Sequence, residues 1–150
     1  MEMDELYQDI LLDHAKKPRN QAALSAVHGK GFGDNPSCGD EVEVEVQIDP
    51  ASPARLVGLR FQSQACAICT ASASIMSTLV KDKALVEVQQ LKTDFLQSMT
   101  SDRPPICDSL EIETLMGVRK FPQRVKCATL AWHALDDALK QSQEMQELKA

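Results

Sequence analysis

Val42, Val44, Val46 and Ile48 alternate with Glu41, Glu43, Glu45 and Gln47, a period-two pattern that predicts a strand with one apolar face and one acidic, wet face. Asp49-Pro50 through Pro53 reads as a turn, and Val57, Leu59 and Phe61 then alternate as a second strand, so an antiparallel hairpin is the economical arrangement. The segment from Val27 to Phe32 is a candidate third strand. Elsewhere the period is helical. Leu6, Tyr7, Ile10, Leu11 and His14 share one face over residues 3 to 16, a segment that Pro18 ends. From Cys66 onward Ile68, Ala71, Ile75 and Leu79 follow helical spacing among Ala and Ser residues that permit close packing. Leu85, Val88, Leu91, Phe95 and Met99 describe another amphipathic helix, ended by Arg103-Pro104-Pro105. Asp108 with Glu111 resembles a capping box, and Gly117 is a suitable stop. The last helix starts near Pro122 and turns Val125, Thr129, Trp132, Leu135 and Leu139 inward, with a polar tail after Lys140 that should fray. The sum is an α+β fold, a small antiparallel sheet of three strands packed by about five helices.

Composition narrows the function more than the fold. The 150 residues suit one domain, residues 1–150, and 43% apolar content gives it a hydrophobic core. A net charge of -6 argues against a general nucleic-acid binder, which needs cations to replace the counterions on phosphate, and favours a basic partner surface. The opening Met-Glu-Met-Asp-Glu lacks the positive start and apolar stretch of a secretory signal, and no apolar run is long enough to span a bilayer, so a cytoplasmic protein without membrane attachment is expected. Five cysteines, an odd number unevenly spaced, fit reduced thiols or metal ligands better than a disulfide framework.

Cys38, Asp40, Cys66 and Cys127 can be read as one site. Cys38 and Asp40 lie in Asn35-Pro36-Ser37-Cys38-Gly39-Asp40, where the intervening glycine lets two side chains of one tight turn point at a common ion. This polar loop is a poor place for a core thiol and a good one for a nucleophile or ligand. Asp40 alone could be a turn former, but its spacing from Cys38 favours a ligand, and an oxygen donor among sulfurs should make a bound metal or cluster easier to exchange. Cys66 sits at a helix start and Cys127 early in another helical segment, flanked by Arg124 and Lys126, where dipoles and cations favour a thiolate. Three sulfurs and a carboxylate suit zinc or iron-sulfur chemistry.

Other candidates carry less. Cys66-Ala67-Ile68-Cys69 is a C-x-x-C and invites a dithiol redox reading, although small-residue packing explains Cys69 almost as well. Cys107 follows two prolines without companion ligands and reads as a packed thiol. His14, His28 and His133 form no metal-like pair and read as surface or satisfied histidines. Gly29, Gly31 and Gly33 superficially suggest a phosphate loop, but a strand follows where a phosphate cradle needs a helix start.

Four segments together carry a resemblance: Tyr7-Gln8-Asp9-Ile10-Leu11-Leu12-Asp13-His14 with Pro18-Arg19-Asn20, then Asn35 to Asp40, then Ala65-Cys66-Ala67-Ile68, then Arg124-Val125-Lys126-Cys127-Ala128. From Leu6 to about Leu139 the chain resembles the U-type iron-sulfur cluster assembly proteins, the family of IscU, SufU and the amino-terminal part of NifU. Lys126, where IscU-like members carry histidine, and the long stretch from Cys66 to Cys127 resemble the SufU branch. Phe121 to Cys127 stands where IscU-like members have their chaperone-binding segment, and Cys69 replaces a more usual serine.

The resemblance implies a three-stranded antiparallel sheet with helices, zinc on Cys38, Asp40, Cys66 and Cys127, and a cytoplasmic, monomeric sulfurtransferase. Its sulfur would come from a SufS-like cysteine desulfurase, with Cys38 as acceptor and Arg124 helping at that contact or near the metal. The alternative within the family is a scaffold on which a transient [2Fe-2S] cluster forms on the same residues and passes to apo iron-sulfur proteins or a downstream carrier. A third reading, a redox protein using Cys66 and Cys69, stands apart from both.

Overall fold

The acidic-apolar alternation becomes the second strand of a four-stranded antiparallel sheet. The computed structural model describes residues 5–37, 39–51, 53–101 and 109–149. Its elements are α1 (Glu5–Lys16), β1 (Gly29–Asn35), β2 (Asp40–Asp49), β3 (Arg55–Gln64), α2 (Ala67–Val80), β4 (Lys83–Ala84), α3 (Leu85–Met99), α4 (Leu110–Met116), a 3-10 turn (Gly117–Lys120) and α5 (Pro122–Lys149). The strands lie in the order β1-β2-β3-β4. The sheet thus has four strands where the sequence pattern predicts three. The extra one, β4, is two residues pairing Arg55 with Ala84 and Leu56 with Lys83, too short to leave a period. Among the described residues no helix is long and apolar enough to cross a membrane.

The inner face is built as the alternation predicts, with Val42, Val44, Val46, Ile48, Leu59 and Phe61 buried. Val57 departs from it. The pairing jumps from Gln47–Gly58 to Ile48–Leu56, so Val57 is the extra residue of a β-bulge and Leu56 takes the inward place. The outer face is drier than expected at Glu45, which lies between Lys30 and Arg60 in register and is ion-paired to both. A cross-strand triad of this kind lets a carboxylate be covered without losing its partners.

α5 lies along β1, and the two meet backbone to backbone. A Cβ on Gly31 would stand 1.9 Å from the Ala134 carbonyl oxygen, and one on Gly29 would stand 2.1 Å from that of Ala138. The glycines that superficially suggest a phosphate loop are therefore a seam: only residues without side chains let the strand approach the helix this closely. Ala131, Ala134 and Ala138 are buried on the same length of α5 that carries Cys127. The seam fixes how deep the start of α5 sits against the sheet.

α2 runs through the middle, with Ala71 to Ser77 all buried. Trp132 stacks on Phe95 with ring centroids 4.1 Å apart and donates its indole N–H to Ser72 Oγ at 3.1 Å, while that hydroxyl donates to the Ala128 carbonyl at 2.5 Å. Two expectations need correcting at helix ends. Gly117 does not stop α4 in a left-handed conformation: at φ -59° it passes the chain into the 3-10 turn. The polar stretch after Lys140, expected to fray, is helical: α5 continues to Lys149, and Gln141 Oε1 accepts from the Lys30 N–H at 2.6 Å. At the start of α4 the N-cap is Ser109, whose Oγ accepts from the Ile112 N–H at 3.3 Å; Asp108 lies outside the described residues, as do Arg103-Pro104-Pro105 and Cys107.

Candidate metal centre

Three elements deliver one donor each to a single point. Asp40 is the first residue of β2, entered from a turn in which Gly39 takes φ +72°, a left-handed conformation that favours glycine. Its carboxylate is buried at 1% exposure. Cys66 is the N-cap of α2, with its backbone extended at φ -65° and ψ 165°. Cys127 follows in the second turn of α5 and is fully buried. One carboxylate oxygen and the two sulfurs all lie within 4.8 Å of one another.

Asp40 also organises the site. Its Oδ1 accepts the Cys66 backbone N–H at 2.8 Å, which ties the start of β2 to the start of α2. Its Oδ2 faces the Cys66 sulfur at 3.8 Å, and that sulfur accepts the Cys69 N–H at 3.5 Å. Each thiol is thus held next to the carboxylate.

The electrostatics are those of a site short of positive charge. Burial pushes the Cys127 thiol well above its ordinary range, and hydrogen bonding and charge from Asp40 and Cys66 push it the same way. Burial, with Asp40 and Cys66 again adding to it, lifts Cys69 to about 12. Asp40 and Cys66 thus add to burial in opposing the ionisation of Cys127, and a bound cation would reverse that opposition. Two thiolates and a carboxylate fit a borderline-soft divalent ion with one position left for a further donor.

The NifU-like N terminal domain pattern matches residues 6–149. The chain belongs to the NifU-like N-terminal domain family. Among the relatives of this NifU-like chain is the iron-sulfur cluster assembly scaffold protein IscU of Streptococcus pyogenes serotype M1, 36% identical, with 97% of this chain and 90% of the relative covered. Another is the zinc-dependent sulfurtransferase SufU of Bacillus subtilis, 34% identical, with 89% of each covered. The crystal structure of an iron-sulfur cluster assembly scaffold protein for the SUF system from Fervidobacterium islandicum AW-1 superposes with a TM-score of 0.79 at 27% identity, over 90% of this chain and 97% of that one.

Of the four residues predicted as ligands in this NifU-like domain, the structure brings Asp40, Cys66 and Cys127 together. Cys38 lies outside the described residues, in the chain between Ser37 and Gly39 and two positions before Asp40. Arg124 is exposed in the first turn of α5, its backbone N–H donating to the Phe121 carbonyl at 2.7 Å. Cys69 is buried and stays out of the donor group. The histidines read as predicted: His14 is buried with Nδ1 2.7 Å from Ser74 Oγ, His28 Nδ1 accepts the Ile48 N–H at 2.8 Å, and His133 is exposed.

Sequence reasoning missed the second role of Asp40, as a clamp on the Cys66 backbone, and the role of Pro18-Arg19-Asn20. The Arg19 N–H donates to Ser74 Oγ at 3.0 Å and the Asn20 side-chain amide to Ser77 Oγ at 2.9 Å. Asn20 adopts φ 59° and its carbonyl accepts the Phe61 N–H at 3.2 Å. The motif therefore buttons the segment after α1 onto α2 and β3. Its signal in sequence was the run of serines at helical spacing in α2, which needed partners if buried.

Proposed function

We propose that this chain is a zinc-dependent sulfur acceptor in iron-sulfur cluster assembly, taking sulfur from a SufS-like cysteine desulfurase and acting in the cytoplasm as a monomer of one domain. The observation that carries the proposal is the convergence of Asp40, Cys66 and Cys127 within 4.8 Å, with Cys38 two residues before Asp40 in the sequence. Cys38 completes a set of three sulfurs and one oxygen. Bound there, zinc supplies a positive charge that keeps the thiols ionised at neutral pH.

Cys38 is assigned as the acceptor because Asn35-Pro36-Ser37 before it and Gly39-Asp40 after it make a polar stretch of sequence, whereas Cys66 caps a helix and Cys127 is buried in one. Its thiolate attacks the outer sulfur of the desulfurase persulfide. A new S–S bond forms on Cys38, the old one breaks, and the desulfurase cysteine leaves as a thiolate. Asp40, Cys66 and Cys127 would hold the zinc while Cys38 takes the sulfur. Arg124, exposed one turn ahead of Cys127, would help at the desulfurase contact or near the metal.

A second reading places a [2Fe-2S] cluster on the same four residues, as cargo passed to apo-proteins. It is supported by the 36% identity to an IscU named as a scaffold, against 34% to a SufU named as a sulfurtransferase. Lys126, where the IscU branch carries histidine, favours sulfur transfer. The test is desulfurase turnover with the zinc-loaded chain, cysteine as substrate and the intact mass of the chain followed in time. Faster turnover with one added sulfur mapped to Cys38 supports the acceptor; Cys38→Ser should then gain none. No acceleration and no added sulfur would turn the assignment to the scaffold.

A further inference from the structure

Cys66 and Cys69 stand at the amino end of α2 in the placement used for thiol-disulfide exchange. The first sulfur caps the helix and is partly exposed; the second lies in the first turn beneath it and is fully buried. The Cys69 N–H points at the Cys66 sulfur at 3.5 Å, so the sulfur is already held over the turn that carries its neighbour. Residues three apart on a helix have Cβ atoms roughly 5–6 Å apart, and a disulfide needs about 3.5–4.5 Å. The difference falls on Cys66, whose backbone at φ -65° and ψ 165° lies outside the helical region.

In the proposed metal centre Cys127 is a ligand, and Cys69 is the one described cysteine outside the donor group. Among the described cysteines it is the thiol left over in a loaded site. We propose that Cys66 and Cys69 form a reversible disulfide site inside the metal centre, closed by peroxide, which withdraws Cys66 from the donor set and protects it from irreversible oxidation. The inference rests on Cys66 being a metal ligand.

The chemistry closes with hydrogen peroxide as oxidant. The Cys66 thiolate attacks one peroxide oxygen, the O–O bond breaks and hydroxide leaves, so the sulfur is oxidised by two electrons to a sulfenic acid and the peroxide is reduced. The Cys69 sulfur then attacks that of Cys66. The S–O bond breaks, the hydroxyl departs with the Cys69 proton as water, and the S–S bond remains. A dithiol reductant restores both thiols and the metal ligand. Without Cys69 the sulfenic acid is open to a second peroxide and becomes a sulfinic acid, which reductant does not reverse.

The test loads the full chain with zinc, adds hydrogen peroxide, reads zinc release with a chromogenic chelator and maps the thiols by alkylation and peptide mass. The wild type should release its zinc, show a Cys66–Cys69 disulfide, and recover its full zinc content after dithiothreitol. Cys69→Ser and Cys69→Ala, which bind zinc before treatment, should show two added oxygens on Cys66 and recover less than about a tenth of their zinc. A disulfide joining Cys66 to Cys127, or full recovery in both Cys69 variants, would overturn this inference alone. A chain that takes up no zinc before peroxide overturns the metal reading, and this one with it.

Discussion

Two of the buried polar clusters on helix α2 are finished in different ways. Around its middle, Ser74 Oγ meets His14 Nδ1 at 2.7 Å and the Arg19 N–H at 3.0 Å, and Ser77 Oγ accepts from Asn20 while donating to the Ser74 carbonyl. Neutral donors meet neutral acceptors, and the protein closes the cluster by itself. At its amino end, Asp40, Cys66 and Cys127 crowd three acidic groups within 4.8 Å. A buried polar group closed by its own neighbours is architecture, because leaving it open costs stability. Acidic donors crowded so that a buried thiol, Cys127, is held from ionising are arranged for something positive to arrive.

The largest separation between the clusters should come from Cys127→Ala. Zinc affinity, measured by competition with a chelator, should fall by more than about 100-fold, since even residues that merely orient metal ligands cost about 10–100-fold. The zinc-free variant should melt no lower than roughly the expected range for removing a small buried thiol, about 1 kcal/mol. Zinc affinity unchanged within a factor of two would remove Cys127 from the site.

Ser74→Ala probes the other cluster and should give the reverse pattern. It strands the His14 ring nitrogen and the Arg19 N–H, so urea unfolding should show a loss of about 1–3 kcal/mol, with zinc affinity kept. A variant that lost zinc binding instead would mean that the two clusters are coupled along α2.

The smallest effect is a pH dependence. Burial, and then Arg19, hold the His14 pKa below its ordinary value, so below about pH 6.5 the unfolded chain is the better proton binder. Stability should therefore be fully present above that pH and decline as the pH falls toward the folded pKa of His14. His14→Gln should flatten this part of the curve. An equally steep decline in that variant would assign it to other groups.

The two clusters were unequally legible in the sequence. The candidate donors stood out because Cys38 and Asp40 lie two residues apart in a polar stretch and Cys66 and Cys127 each sit near a helix start, features that read locally; of the four the structure brings Asp40, Cys66 and Cys127 together. The Ser74 cluster depends on residues 55 and 60 positions apart, as Arg19 and His14 are from Ser74, and no local pattern reports such pairings. The strands of the hairpin were legible from alternation, but the bulge at Val57 was not, since one inserted residue moves an apolar side chain outward without altering composition. Likewise Gly29, Gly31 and Gly33 could be recognised as special without revealing α5 as the reason.

The central claim is that the amino end of α2 holds a cation with sulfur and carboxylate together. X-ray absorption at the zinc edge of the zinc-loaded chain tests it directly. Three sulfur neighbours near ~2.3 Å and one oxygen near ~2.0–2.2 Å are the predicted shell, falling to two sulfurs in Cys38→Ser. A shell of oxygen and nitrogen alone, or of four sulfurs without oxygen, would contradict the assignment of Asp40 and with it the account of the site.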